Sequence, residues 1–96
     1  MESKSVLDEA KEIIYGDREK TYGHPAKNLT TIAMMWSMYL GARLDAANSV
    51  LTPQDVSVMM VLLKCARLAN DPSHRDSVVD ICGYAGLIER CDEQDS

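Results

Sequence analysis

Between Val56 and Ala69 the chain reads VSVMMVLLKCARLA, a run of helical length in which only Ser57, Lys64 and Arg67 interrupt apolar residues. A helix that is apolar nearly all round has to be surrounded, so this segment belongs at the centre of the fold. Its start is marked by Thr52-Pro53-Gln54-Asp55, which combines an N-cap hydroxyl, a proline at the first helical position and an acid two residues later. No part of the chain sustains the period of two that a half-buried strand requires. The expectation is an all-α fold.

Three further segments carry apolar residues at helical spacing. The first, Ser5 to Tyr15, places Val6, Leu7, Ala10, Ile13 and Ile14 on one stripe, with Ser5 and Asp8 resembling a capping box and Gly16 suited to the C′ position. The loop GDREKTYGH leads to Pro25, which opens a second helix whose expected inner face is Leu29, Ile32, Ala33, Trp36, Tyr39 and Leu40. Gly41, Asn48 and Ser49 mark its exit. After Asn70-Asp71-Pro72-Ser73, Ser73 and Asp76 resemble another N-terminal box, before a helix reaching about Arg90 whose apolar stripe is Val78, Ile81, Cys82, Ala85 and Ile88. The polar tail CDEQDS is expected to fray. The architecture expected is a compact three- to four-helix bundle forming one domain over residues 1–96, with an ordered core of about residues 5–91.

Size and charge narrow the functions open to such a bundle. A domain of 96 residues buries only about 60–65% of the surface of its unfolded chain, which favours association into a homo-oligomer. Met34 and Met38 point away from the second helix's main stripe and would supply a contact surface. Ten basic against fifteen acidic residues give a net charge of −5, which repels the phosphates of duplex nucleic acid, while a local pair of cations still suits a small anion. Cys65, Cys82 and Cys91 have no CxxC spacing and are odd in number, as expected of reduced thiols in a cytoplasmic protein. The N-terminal sequence has no signal-peptide core, and no stretch approaches the roughly 18 apolar residues of a membrane span.

Three groups of residues could carry chemistry. Lys64 and Arg67 lie one turn apart in the polar sector of the third helix, so either acids of a neighbouring helix or a bound phosphate should lie between them. On the fourth helix Asp76, Asp80 and Tyr84 share a side with Gly83, and two carboxylates one turn apart suit Mg²⁺, a hard cation that takes one or two protein oxygens. Gly83 is costly in mid-helix and suggests close approach of a helix or ligand. Tyr22-Gly23-His24-Pro25 feeds into a helix N-terminus that favours anions, with Asn28 one turn on; His24 could cap the helix or touch a phosphate, and Tyr22 offers a stacking ring. Asp8, Glu9 and Glu12 fit a solvated face, and His74 fits a surface position. A zinc site, a Gly-rich phosphate loop and a Ser-His-Asp order are all lacking.

Taken in order, Tyr22-Gly23-His24, Lys64-x-x-Arg67 and Asp76-x-x-x-Asp80-x-x-x-Tyr84 resemble a small family found in phages and prophages, over about residues 10–90. The same order is similar to phage nucleotide-modification-associated domains and, more remotely, to MazG-type all-α nucleoside triphosphate pyrophosphohydrolases. Those enzymes are oligomers that hold Mg²⁺ through an E-E-x-x-E helix and an E-x-x-D helix. Ser77-Val78-Val79-Asp80 aligns with the second motif with serine for its glutamate, and Asp8-Glu9-Ala10-Lys11-Glu12 mimics the first, far upstream. The resemblance implies a MazG-like bundle and a nucleotide-phosphate site in which Asp76 and Asp80 are catalytic and hold Mg²⁺. Lys64, Arg67, Tyr22, His24, Asn28 and Tyr84 would bind the nucleotide. Two alternatives stand beside a pyrophosphohydrolase: an oligomer that binds or sequesters a nucleotide without turnover, and a structural interaction module whose polar clusters are intersubunit salt bridges.

Overall fold

The computed structural model describes residues 5–16 and 24–93, in which four helices follow one another: α1 (Val6–Tyr15), α2 (Pro25–Arg43), α3 (Pro53–Asn70) and α4 (Arg75–Glu93). Among these residues there is no strand, only a single isolated bridge between Asp45 and Asn48. None of the helices is long and apolar enough to cross a membrane.

The first three helices begin where a side chain takes up a free backbone N–H. Ser5 Oγ accepts from Asp8 N at 3.1 Å, His24 Nδ1 from Ala26 N at 3.1 Å and Thr52 Oγ1 from Asp55 N at 3.2 Å. The α4 start differs from the Ser73/Asp76 box expected from sequence. His74 is the residue before the first turn, and its Nδ1 shares a hydrogen bond of 2.6 Å with Ser77 Oγ, while Asp76 is exposed. Gly16 ends α1, though not through the left-handed conformation: its φ is −120°, and a Cβ there would lie 2.6 Å from the Glu12 carbonyl oxygen. The helix end requires glycine for space, not for a positive φ.

Helices α2 and α3 form an antiparallel hairpin. The turn between them is held by Asp45, whose Oδ1 accepts from Ala47 N at 2.9 Å and Asn48 N at 2.8 Å. Along the seam Trp36 Nε1 donates to the Met59 carbonyl at 2.6 Å, and Tyr39 Oη donates to Asp55 Oδ1 at 2.7 Å. Helix α4 packs along α3 more extensively than α2 does, so α3 is the central helix as its composition requires. Helix α1 buries none of its residues, and the molecule extends 52 × 29 × 29 Å.

The interior is more polar than the sequence suggests. Among the described residues Ile32 and Ala66 are the buried apolar side chains, whereas Asn28, Asp55, Ser57, Lys64 and Ser77 are buried polar ones. Two expected inner faces are rotated accordingly. On α2, Leu29 and Ala33 are exposed, and the packed edge runs through Asn28, Ile32, Met35, Trp36 and Tyr39. On α4, Val78, Cys82 and Ala85 are exposed, and Ser77, Asp80, Ile81, Tyr84 and Ile88 turn towards the interior. That rotation follows the partners: the α3 surface that receives α4 contains Lys64, which needs an acid opposite it.

Asp55 organises the hairpin. Its Oδ1 takes the Tyr39 hydroxyl and Arg43 Nε, at 3.0 Å, and its Oδ2 takes both the backbone N–H of Thr52, at 2.8 Å, and the Thr52 hydroxyl, at 3.0 Å. The Thr52 backbone N–H and the Tyr39 hydroxyl hold the Asp55 carboxyl down at about 2, below its ordinary value near 3.8, against the opposing effect of burial. The same hydrogen bond raises Tyr39 above its ordinary value. Because the folded carboxyl titrates below the unfolded one, its contribution to stability is complete above about pH 4 and is lost as pH falls towards 2. An acid titration of helicity should therefore show a steeper loss of stability between pH 4 and 2 in the wild type than in Asp55→Asn, which should also be the less stable protein at pH 7.

Candidate functional site

Of the expected cluster of Lys64, Arg67, Asp76, Asp80 and Tyr84, Lys64 and Asp80 meet across the seam between α3 and α4. Lys64 reaches it from the middle of the central helix, and its side chain is only 11% exposed. Across the seam, Asp80 Oδ2 lies 2.9 Å from Lys64 Nζ, with the acid side chain 43% exposed. The pair is asymmetric: the cation is held inside, and the carboxylate keeps one edge in water. Arg67, one turn further along α3, is half-buried, as is Tyr84, one turn beyond Asp80 on α4. Asp76, one turn before Asp80, is exposed in the first turn of α4, where the helix dipole favours a negative charge.

A shallow depression on α4, lined by Val79, Asp80, Gly83, Tyr84 and Leu87, touches the pair at Asp80 and does not include Lys64 or Arg67 in its walls. A Cβ on Gly83 would meet nothing within 4 Å, so among the described residues no helix makes the close approach expected there. Chemically the seam shows one lysine–carboxylate pair with an edge of the carboxylate in water. Among the described residues no three of His, Cys, Asp and Glu gather closely enough to hold a metal ion between them.

The other expected site residues lie elsewhere. Asn28 is buried on the α2–α3 side, 7% exposed, and borders a small cleft with Lys27, Thr31, Ala66, Ala69 and Asn70. Its Oδ1 has no hydrogen-bond partner among the described residues. His24, the exposed residue immediately before α2, caps that helix. Tyr22 lies outside the described residues. The acids of α1 are exposed, and Asp8 and Glu12 line an open hollow with Lys11 and Tyr15.

Comparison with known proteins places this geometry in a lineage. The family model of a domain of unknown function, DUF6378, matches residues 5–92. The chain belongs to the DUF6378 family. It is 41% identical over 92 residues to the Gene 55 protein of Mycobacterium phage D29, covering 96% of this chain and 56% of that protein. It is 44% identical over 86 residues to the Gene 55 protein of Mycobacterium phage L5, covering 90% of this chain and 51% of that one. The DUF6378 chain thus spans about half the length of the curated relatives it matches, both of them phage proteins. No solved structure matches it.

The asymmetry of the Lys64–Asp80 pair makes the two partners unequal on removal. In Asp80→Asn the buried ammonium loses its counter-charge, which should lower stability by about 1–3 kcal/mol. In Lys64→Met the remaining carboxylate is half in water and the apolar stem is retained, so the change should stay within about 1 kcal/mol. Chemical denaturation of the two variants at neutral pH measures the difference.

Proposed function

We propose that this chain binds the phosphates of a nucleotide, or of a nucleotide-derived small molecule, at the α3–α4 seam, with Mg²⁺ as the accompanying cation. The observation that carries this reading is the Lys64–Asp80 pair at 2.9 Å, bordered by the depression of Asp80, Gly83 and Tyr84. A lysine drawn into the interior of a small bundle costs desolvation that a bland surface position would avoid. Phosphate is a ligand for which such a cation is suited, and Arg67 on the next turn adds a planar donor fork.

Charge sets the metal requirement. Lys64 and Arg67 balance Asp76 and Asp80, so the seam is close to neutral before a ligand enters. A polyphosphate would bring several negative charges, and a divalent cation restores the balance. Asp76 and Asp80, one turn apart on α4, are the oxygens that would share it with the phosphates. In this reading the direct ion pair is the resting arrangement. Ligand entry would turn Lys64 to a phosphate and Asp80 to the cation, with Tyr84 beside the base.

The resemblance to nucleotide-modification-associated domains and to MazG-type pyrophosphohydrolases supports the same class of ligand. Hydrolysis would draw on further carboxylates, and the acids of α1 stand on another element of this chain. The reading therefore commits to binding without turnover.

A panel of ribo- and deoxyribonucleotides, examined by thermal shift with and without Mg²⁺, tests it. A bound nucleotide at 100 times its Kd should add about 2.7 kcal/mol of stability. The shift should require Mg²⁺ and should disappear in Arg67→Ala and Tyr84→Ala. Release of pyrophosphate from the same mixtures would convert the binding protein into a hydrolase, whereas a panel without any shift would remove the ligand class.

A further inference from the structure

Asn28 takes no part in the α3–α4 seam, yet it carries a chemical demand of its own. Its side chain belongs to a residue only 7% exposed, and among the described residues its Oδ1 has no hydrogen-bond partner. A buried acceptor left unmatched is costly, so such a group calls for a donor. Asn28 lines a cleft of about 40 Å³ between the first two turns of α2 and the end of α3, walled also by Lys27, Thr31, Ala66, Ala69 and Asn70. The antiparallel hairpin brings these two helix ends together. Ala66 and Ala69, three residues apart on one face of α3, leave the space that larger side chains would fill.

The demand is for a donor and not for an anion. Of the first backbone groups of α2, Pro25 has no N–H, Ala26 N donates to His24 Nδ1 at 3.1 Å and Asn28 N donates to the His24 carbonyl at 3.1 Å. The end of α3 brings the negative pole of its own dipole to the same place, so the two termini offset each other across the cleft. Lys27, exposed at the rim, disfavours an ammonium. Thr31 gives its hydroxyl hydrogen to the Lys27 carbonyl at 3.0 Å, which leaves the Thr31 oxygen as a second acceptor one turn from Asn28. A group that satisfies both acceptors is uncharged and carries two N–H bonds on one nitrogen.

We propose that this cleft is a binding site for a conjugated amino group, the –NH₂ of an amino-bearing nucleobase or of a primary carboxamide, with its N–H bonds directed to Asn28 Oδ1 and Thr31 Oγ1. A water molecule takes roughly 30 Å³ in the liquid, so the cleft admits the amino-bearing edge and not a whole ring. The rest of the ligand lies over the exposed Lys27, Ala69 and Asn70. The cleft shares no lining residue with the α4 depression and needs neither phosphate nor Mg²⁺, so it stands apart from the nucleotide reading of the α3–α4 seam.

Titrations in metal-free buffer, followed by heteronuclear NMR of the backbone and side-chain amides, test it. Adenosine, cytidine and nicotinamide are the probes; inosine and uridine, in which a carbonyl replaces the amino group, are the controls. The probes should shift the Asn28 side-chain amide and the Ala66 and Ala69 backbone signals in a saturable way. They should bind about tenfold or more tightly than the controls, the worth of one hydrogen bond. A response to the nucleosides alone identifies a nucleobase as the source of the amino group, and a response to nicotinamide alone identifies a carboxamide. In Ala69→Leu, where the new side chain closes the mouth from an exposed position, the shifts should vanish with the fold intact. Asn28→Leu, close in shape, should bind nothing and should melt no lower than the unliganded wild type, because it removes an unmatched acceptor. A lower melting temperature for Asn28→Leu would mean that the amide is already paired within the fold. That result, equal binding of probes and controls, shifts that persist in Ala69→Leu, or a cleft that no probe saturates and only solvent fills would each overturn the proposal.

Discussion

Two oxygens of one carboxylate hold three pieces of this chain in register. Asp55 closes the first turn of α3 on the Thr52 backbone and hydroxyl with one oxygen, and reaches the Tyr39 hydroxyl and the Arg43 guanidinium of α2 with the other. A capping acid is usually a local device worth little beyond its own helix. Here the same group also sets where α2 meets α3. The position of Trp36 on Met59, the placement of Asn28 against Ala66 and the orientation of the remaining faces of α3 follow from that register.

With α2 fixed on one side, the central helix presents Ser57, Lys64 and Arg67 to the other. The α4 helix answers Lys64 with Asp80, pairs its buried Ser77 with His74 at its own start and leaves its valines outside. The interior is thus specified by polar matching more than by apolar volume. Such matching fixes a unique arrangement at a cost in stability, since each buried polar group has to find a partner or lose its hydration. It also leaves apolar side chains on the outside.

The sequence was legible where the signal is local. Four helices, the Thr52/Asp55 box, the proline starts and the central place of α3 could all be read from residues within a turn or two of each other. The Lys64–Asp80 pair was legible by a different route, because a cation on a buried helix calls for an acid on the next one. The long arm of Asp55 was hidden: Tyr39 and Arg43 are a turn apart on one face of α2, which is a signal, but their target depends on the hairpin register. The inner face of α4 was misread because burial was assigned to the densest apolar stripe, when Lys64 on the facing helix demanded the polar one. Asn28 was grouped with His24 by spacing along α2. Its side chain instead turns into the α2–α3 seam, where helix packing, not helix period, decides exposure.

Trp36 is the chain's single tryptophan, and its indole N–H is committed to the Met59 carbonyl across the α2–α3 seam. Indole emission responds to the hydrogen bonding and polarity around the ring. The intrinsic fluorescence of this protein therefore reports on the α2–α3 seam and follows the opening of the hairpin. Events at Lys64 and Asp80 can be separated from unfolding of the scaffold within one unlabelled molecule, by comparing that emission with total helicity.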